Sequence, residues 1–363
     1  MDTRTNFFDL NREAMRGYFT RLGEKPYRAT QLMKWMYHHG VIDPLRMTDV
    51  GKSLRERLAQ ETRFTLPGIS LEQQSRDGTR KWLMGIDAEN SVETVFIPEP
   101  DRGTLCISSQ VGCPLDCSFC STGKQGFNRN LDTAQIVGQL WLANERLGYF
   151  THGRRIITNV VLMGMGEPLL NFDNVVTATQ IMTDDIGFGL ANKRVTLSTA
   201  GVVPGIERLA EVSRVSLAVS LHAPVDELRD ELVPINRRYR IAELMRACAH
   251  YADRTGGEPI TFEYVMLAGV NDGDSEARAL AKLLKPLPAK VNLIPFNPFP
   301  GAAYVRSPQA VIDRFRDILR EHGLITVTRR TRGEDIDAAC GQLTGRVMAK
   351  ANRVRNARLE NRV

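Results

Sequence analysis

The chain has 363 residues, enough for about two or three domains of ordinary size and a large buried core. Hydrophobic residues make up 42% and charged residues 25%, which excludes a disordered, collagen-like or disulfide-dense chain. Lys plus Arg number 48 against 42 Asp plus Glu, and the net charge of +6 suggests an anionic partner without naming one.

No stretch reaches the roughly 18 apolar residues of a membrane span, and Met1-Asp2-Thr3-Arg4-Thr5-Asn6 lacks the apolar core of a signal peptide. The expectation is a cytoplasmic protein with no membrane association. Residues 1–65 read as a small helical accessory domain: Met15, Tyr18, Phe19 and Leu22, then Leu32, Trp35 and Met36, fall at helical spacing around the turn at Lys25-Pro26. Across 66–98, short β runs follow the turn signals Asp77-Gly78 and Glu89-Asn90 and predict a β-hairpin extension. From 99 to 345, apolar β runs at 104–108, 157–163, 194–199, 215–220, 260–266, 290–294 and 325–328 alternate with helical patterns. The helices are expected at about 133–148, 173–183, 203–211, 240–253, 274–285 and 308–321. Repeated βα crossovers require a parallel sheet, so the fold class is α/β, a partial (β/α)6 barrel with its chemistry at the strand C-termini. Residues 346–363 form a basic tail.

The six cysteines stand at 106, 113, 117, 120, 248 and 340, four of them within fifteen residues, unlike an evenly spread disulfide scaffold. Cys113-Pro114-Leu115-Asp116-Cys117-Ser118-Phe119-Cys120 directly follows the first core strand. Three such thiolates can hold three irons of a 4Fe-4S cube and leave the fourth open to the amino and carboxylate groups of S-adenosylmethionine (SAM). A structural zinc site, with Cys106 as the fourth sulfur, is the other reading of the spacing.

Further polar residues recur at strand ends. Gly164-Met165-Gly166-Glu167-Pro168 fails as a dinucleotide fingerprint, because Leu169 replaces the third glycine. It reads either as a ligand-facing carboxylate or as a plain Gly-rich turn. Ser198, Ser220-Leu221-His222 and Asn297 are each ordinary alone, since Ser and Asn often satisfy backbone groups in turns, but barrel geometry would converge them on one face. His222 reads as a ligand contact or polar packing rather than a metal ligand, and Cys248 as packing. His38, His39, His152, His250 and His322 read as surface or structural groups. Taken alone, Cys340 reads as a buried small hydrophobe and Glu93 as an outward carboxylate on an alternating strand.

With Ser121-Thr122-Gly123 and Gly126-Phe127-Asn128-Arg129-Asn130-Leu131 after it, the cysteine loop resembles the radical SAM superfamily. Over about residues 90–345 the chain resembles, more narrowly, the adenosine C2 methyltransferases of 23S ribosomal RNA and tRNA. The resemblance implies a 4Fe-4S cluster on Cys113, Cys117 and Cys120, and SAM held by Gly166, Glu167, Ser198, Ser220, Leu221, His222 and Asn297. It implies a detour that suits an electron-poor ring carbon: a first SAM methylates Cys340, and a radical from a second SAM takes a hydrogen from that methyl group. The carbon radical then adds to adenine C2. Cys106 is implied as the thiol that attacks the Cys340 sulfur to release the product, leaving a disulfide to be reduced. Glu93 or Cys106 takes the C2 proton. Implied partners are 23S rRNA, tRNA and a flavodoxin-type or ferredoxin-type electron donor, and the expected form is a monomer. The rivals are the related C8-adenosine methyltransferase of antibiotic resistance and a non-catalytic, zinc-stabilised RNA-binding module.

Divided along the chain, the charge is uneven. Residues 1–90 carry 15 basic against 12 acidic groups, residues 91–345 carry 27 against 29, and residues 346–363 carry six against one. The ends, at +3 and +5, are expected to meet RNA phosphates, while the barrel stays nearly balanced.

Overall fold

The structure is a computed structural model and describes residues 3–345; the basic tail, and the RNA contact expected of it, lie outside the described residues. Seven strands run parallel, each beside its neighbour in sequence: Arg102–Cys106, Asn159–Leu162, Val195–Thr199, Ser216–Ser220, Ile260–Met266, Ala289–Pro295 and Ile325–Thr328. Six crossovers join them through the helices Thr133–Arg146, Phe172–Thr183, Val203–Val212, Ile241–Arg254, Asp274–Leu284 and Gln309–Glu321. The first and seventh strands do not pair, so the barrel is partial and open on one side.

Side chains alternate along these strands and sort into two faces. Leu105, Val160, Leu197, Phe262 and Leu293 join the apolar core that includes the helix residues Ile136, Val175, Leu244, Leu280 and Phe315. Thr104, Asn159, Thr196, Thr261, Glu263 and Asn292 instead line the lumen. Polar residues inside otherwise apolar β runs thus mark the inner face. Cys248 is fully buried within its helix, as the packing reading expects.

The extension differs from a two-stranded hairpin. Gly68–Gln74, Arg80–Gly85 and Ser91–Glu99 form an antiparallel meander, and Ser91–Glu99 pairs with the first barrel strand. The outer strand escapes the hydrophobic pattern because most of Gly68–Gln74 is exposed. At the turn, Gly78 has φ +85°, and Asp77 accepts the Thr79 N–H at 2.9 Å, which explains the Asp-Gly signal.

The N-terminal region, with helices Arg12–Arg21, Arg28–Met33 and Lys52–Glu61, meets the first crossover helix through the segment Phe7–Asp9 and Met36. Trp141 donates its indole N–H to the Met36 carbonyl at 2.8 Å, and Phe8 meets Trp141 edge-on. Asp9 accepts the Ala134 N–H at 2.8 Å, at the helix end where backbone donors lack partners. No helix among the described residues is long and apolar enough to cross a membrane.

Beyond the seventh strand, residues 329–345 form a strap that returns toward the extension. Asp335 accepts from Ser75 Oγ at 2.5 Å, Lys81 donates to the Asp337 carbonyl at 3.3 Å, and the Thr344 N–H reaches Glu93 at 2.9 Å. On the way, Gly341 and Leu343 offer carbonyls to Ser121 N–H at 2.9 Å and Thr122 Oγ1 at 2.6 Å.

Candidate active site

The cysteine loop is closed by a short hairpin, Gln110–Gly112 with Phe127–Asn130, which the sequence reading did not foresee. Cys113 N–H donates to the Gly126 carbonyl at 2.9 Å, and Cys120 N–H to the Cys117 carbonyl at 3.1 Å. Space is tight here: a Cβ on Gly123 would lie 3.1 Å from the Cys117 nitrogen. The three thiols face a cavity of about 170 Å³. Burial pushes Cys113 up to about 12 and raises Cys117 and Cys120 as well. Neighbouring thiols add to the rise at Cys113 and Cys117. A buried set of thiolates needs cations beside it, and three sulfurs without a fourth protein ligand suit three irons of a cube.

The zinc reading finds no fourth sulfur at the loop. Cys106 lines a second cavity and is absent from the one that holds Cys113, Cys117 and Cys120.

The strand-end residues gather around that first cavity. Gly166, Glu167, Ser198, Ser220, His222 and Asn297 all line it; Leu221 is fully buried beside it instead. Gly166 has φ +101°, and a Cβ there would fall 2.5 Å from that of Gln110, so only glycine fits. Glu167 accepts N–H groups from Leu169 at 3.0 Å and Ala200 at 2.7 Å. Burial nevertheless raises its carboxyl to about 7, so an incoming ammonium would find a strong partner. His222 stays neutral: burial lowers it to about 3, and its Nδ1 accepts the Val265 N–H at 3.0 Å. Asn297 does more than line the cavity, for its amide donates to the Cys340 carbonyl at 3.2 Å.

Cys340 stands at a junction. It lines the cluster-side cavity and also the lumen cavity of about 600 Å³ that holds Cys106. That volume lies within the range of ligand pockets, about 300–1,000 Å³. Cys106 is buried and pushed up to about 12, first by burial and next by the nearby Cys340. Both thiols are free.

Glu93 departs from the outward-carboxylate reading. It is buried, pairs with Lys81 at 3.0 Å and accepts the Thr344 N–H, and it lines neither cavity. Two residues at the junction were not read from the sequence as part of the site. Arg329 and Glu263 line both cavities, and the Arg329 guanidinium approaches the Cys340 sulfur at 3.6 Å. The available signal was Glu263 itself, an acid inside the apolar strand run Ile260–Met266.

Comparison with known proteins agrees with this geometry. Residues 5–63 match the ribosomal RNA large subunit methyltransferase N-terminal domain, and residues 107–281 match the radical SAM superfamily. The crystal structure of a radical SAM methyltransferase from Sphaerobacter thermophilus is 43% identical, with a TM-score of 0.86 over 93% of this chain and 99% of that one. More distant matches include SuiB from Streptococcus suis, 15% identical with a TM-score of 0.45, covering 62% of this chain and 49% of that chain. A domain of pyruvate-formate lyase-activating enzyme from Bacteroides vulgatus is 16% identical with a TM-score of 0.37, covering 47% of this chain and 99% of that chain. An open barrel whose strand ends surround three cysteines of one loop, matched along nearly its whole length by such an enzyme, makes this chain a member of the radical SAM methyltransferases, which use a 4Fe-4S cluster and SAM.

Proposed function

We propose that the chain methylates C2 of adenosine in RNA, in the peptidyl-transferase region of 23S rRNA and 3′ of the tRNA anticodon, with Cys340 as the methyl carrier. The observation that carries this reading is the position of Cys340, shared by the cavity of the three loop cysteines and the cavity of Cys106. The ribosomal RNA methyltransferase domain matched at residues 5–63 supports RNA as the substrate class.

Cys113, Cys117 and Cys120 would hold the cluster, and Gly166, Glu167, Ser198, Ser220, Leu221, His222 and Asn297 would hold SAM, with Glu167 taking its ammonium group. A bound cluster supplies the electron that cleaves SAM, and SAM supplies both the methyl group and the hydrogen-abstracting radical. Cys340 accepts the methyl group: its Sγ–C bond forms as the sulfonium C–S bond breaks, and the thiol proton goes to solvent. The carbon then links Cys340 to C2 of the base. The adduct loses one electron, which a bound cluster would accept, and the C2 proton. Cys106 then attacks the Cys340 sulfur, the S–CH2 bond breaks, and the thiol proton of Cys106 passes to the methylene carbon to complete the methyl group. The disulfide is reduced before the next turnover, with a flavodoxin-type or ferredoxin-type partner as the electron donor of the system. Glu93 is one acceptor for the C2 proton and Cys106 the other; Glu93 serves only if the strap lifts, because Thr344 and Lys81 hold its carboxylate. Arg330 and Arg332 line the larger cavity and suit phosphate contact, while a target base must turn out of its stack to enter.

The test is to incubate the reconstituted protein anaerobically with SAM, a reductant and each RNA, then digest and separate the nucleosides. The expected product is 2-methyladenosine from both RNAs. Only 8-methyladenosine, or no methylated adenosine, would overturn the assignment.

A further inference from the structure

Arg329 leaves the seventh strand with its backbone fixed, its N–H donating to the Leu293 carbonyl at 2.8 Å. Its guanidinium has two sulfurs within reach, Cys340 at 3.6 Å and Met163 at 3.8 Å. A carboxylate stands behind it, Glu263, at 3.8 Å. Glu263 is almost fully buried; Asn292 donates to its Oε1 at 3.0 Å, and its Oε2 has no hydrogen-bond partner. A charge placed so deeply is retained only where another charge or a ligand balances it.

We propose that Arg329 is a positioning residue for the methyl carrier: it holds the Cys340 sulfur at the junction of the two cavities and stabilises the negative charge that sulfur bears as it accepts the methyl group. Glu263 supplies the countercharge that lets a guanidinium remain beside the cavity of a cationic cofactor. The inference rests on Cys340 being the methyl acceptor, and it adds what makes that sulfur competent. In the transfer the thiol proton leaves to solvent, the sulfur electron pair forms the new S–C bond, and the sulfonium C–S pair departs with neutral S-adenosylhomocysteine. A cation next to the sulfur favours the charged nucleophile at the start of this step. The neutral thioether that results has no comparable hold on Arg329.

The experiment measures the sulfur directly. Iron-loaded protein without SAM is treated anaerobically with iodoacetamide, and alkylation of Cys340 is followed by peptide mass spectrometry in wild type, Arg329→Met, Arg329→Gln and Arg329→Lys. Loss of the cation should slow alkylation about tenfold, the lower end of what a hydrogen bond to a charged group contributes. Arg329→Lys should restore most of the rate, which a purely structural role would not predict. Arg329→Gln carries the test where Arg329→Met fails to fold. Equal rates in wild type and the uncharged variants, or no recovery with lysine, would overturn the inference. Transfer of methyl from SAM to Cys340 is read on the same peptide: its absence in wild type would sink the carrier reading while leaving the alkylation comparison to decide the role of Arg329.

Discussion

The cysteine loop and the C-terminal strap each bring sulfur to the same cavity, but they are built in opposite ways. The loop's cysteines bond to neighbours, Cys120 to Cys117 and Cys113 to Gly126, and hydrogen bonds from distant residues reach the loop at Ser118, Ser121 and Thr122. The strap is held by residues far away in sequence. Asp335 meets Ser75 across 260 residues, Thr344 meets Glu93 across 251, and Leu343 meets Thr122 across 221. A locally built element tolerates changes elsewhere, whereas the placing of Cys340 depends on the barrel and the extension having formed.

The comparison can be broken most severely at Cys340. Cys340→Ala should abolish methyl transfer to RNA, read as methylated nucleoside per turnover, while iron content after reconstitution stays with the intact loop. Continued transfer at the normal rate would refute the carrier role. Lys81→Met attacks the strap from a distance. It leaves Glu93 buried and unpaired, so stability should fall by about 3 kcal/mol, measured by denaturant unfolding. A loss confined to the loop, seen as iron content falling while strap proteolysis is unchanged, would reverse the proposed dependence.

Acid should act through the other end of the cavity. His222 titrates near 6.5 when unfolded and is lowered to about 3 by burial when folded. Stability from its neutral form is therefore complete above pH 6.5 and declines as pH falls toward 3, by about 1.4 kcal/mol per pH unit from this group. Unfolding of wild type and His222→Asn compared across that window should differ by that slope, and parallel pH profiles would refute it. The smallest effect belongs to the surface. Arg330→Ala should weaken RNA binding modestly and lower the salt slope by about one, with deletion of 346–363 weakening it more. An unchanged slope in both would place the phosphate contacts elsewhere.

How far the sequence revealed these regions follows the same division. All seven barrel strands and six crossover helices were legible within a few residues, because apolar runs and helical periods are local. The loop cysteines were legible from spacing. Gly166, Glu167, Ser198, Ser220, His222 and Asn297 could be grouped only through the family resemblance together with a barrel topology that sends strand ends to one face. The outer strand Gly68–Gln74 was hidden by its exposure, and the short helix Asp226–Leu232 by its length and polar composition. Arg229 of that helix is fully buried and donates to the carbonyls of Ala200, Ser220 and Leu221, behind the cavity wall. Nothing in the sequence distinguishes it from a surface arginine. Arg329 and Glu263 were hidden for a related reason: their meeting is a property of strand packing, not of spacing.

The strap also orders events in time. Its contacts with Ser121 and Thr122, directly behind Cys120, are made by residues synthesised after every barrel strand. Domains form from the N-terminal side as a chain emerges. The flank of the loop next to Cys120 is therefore completed only once the strap, made of later residues than any barrel strand, has docked on it.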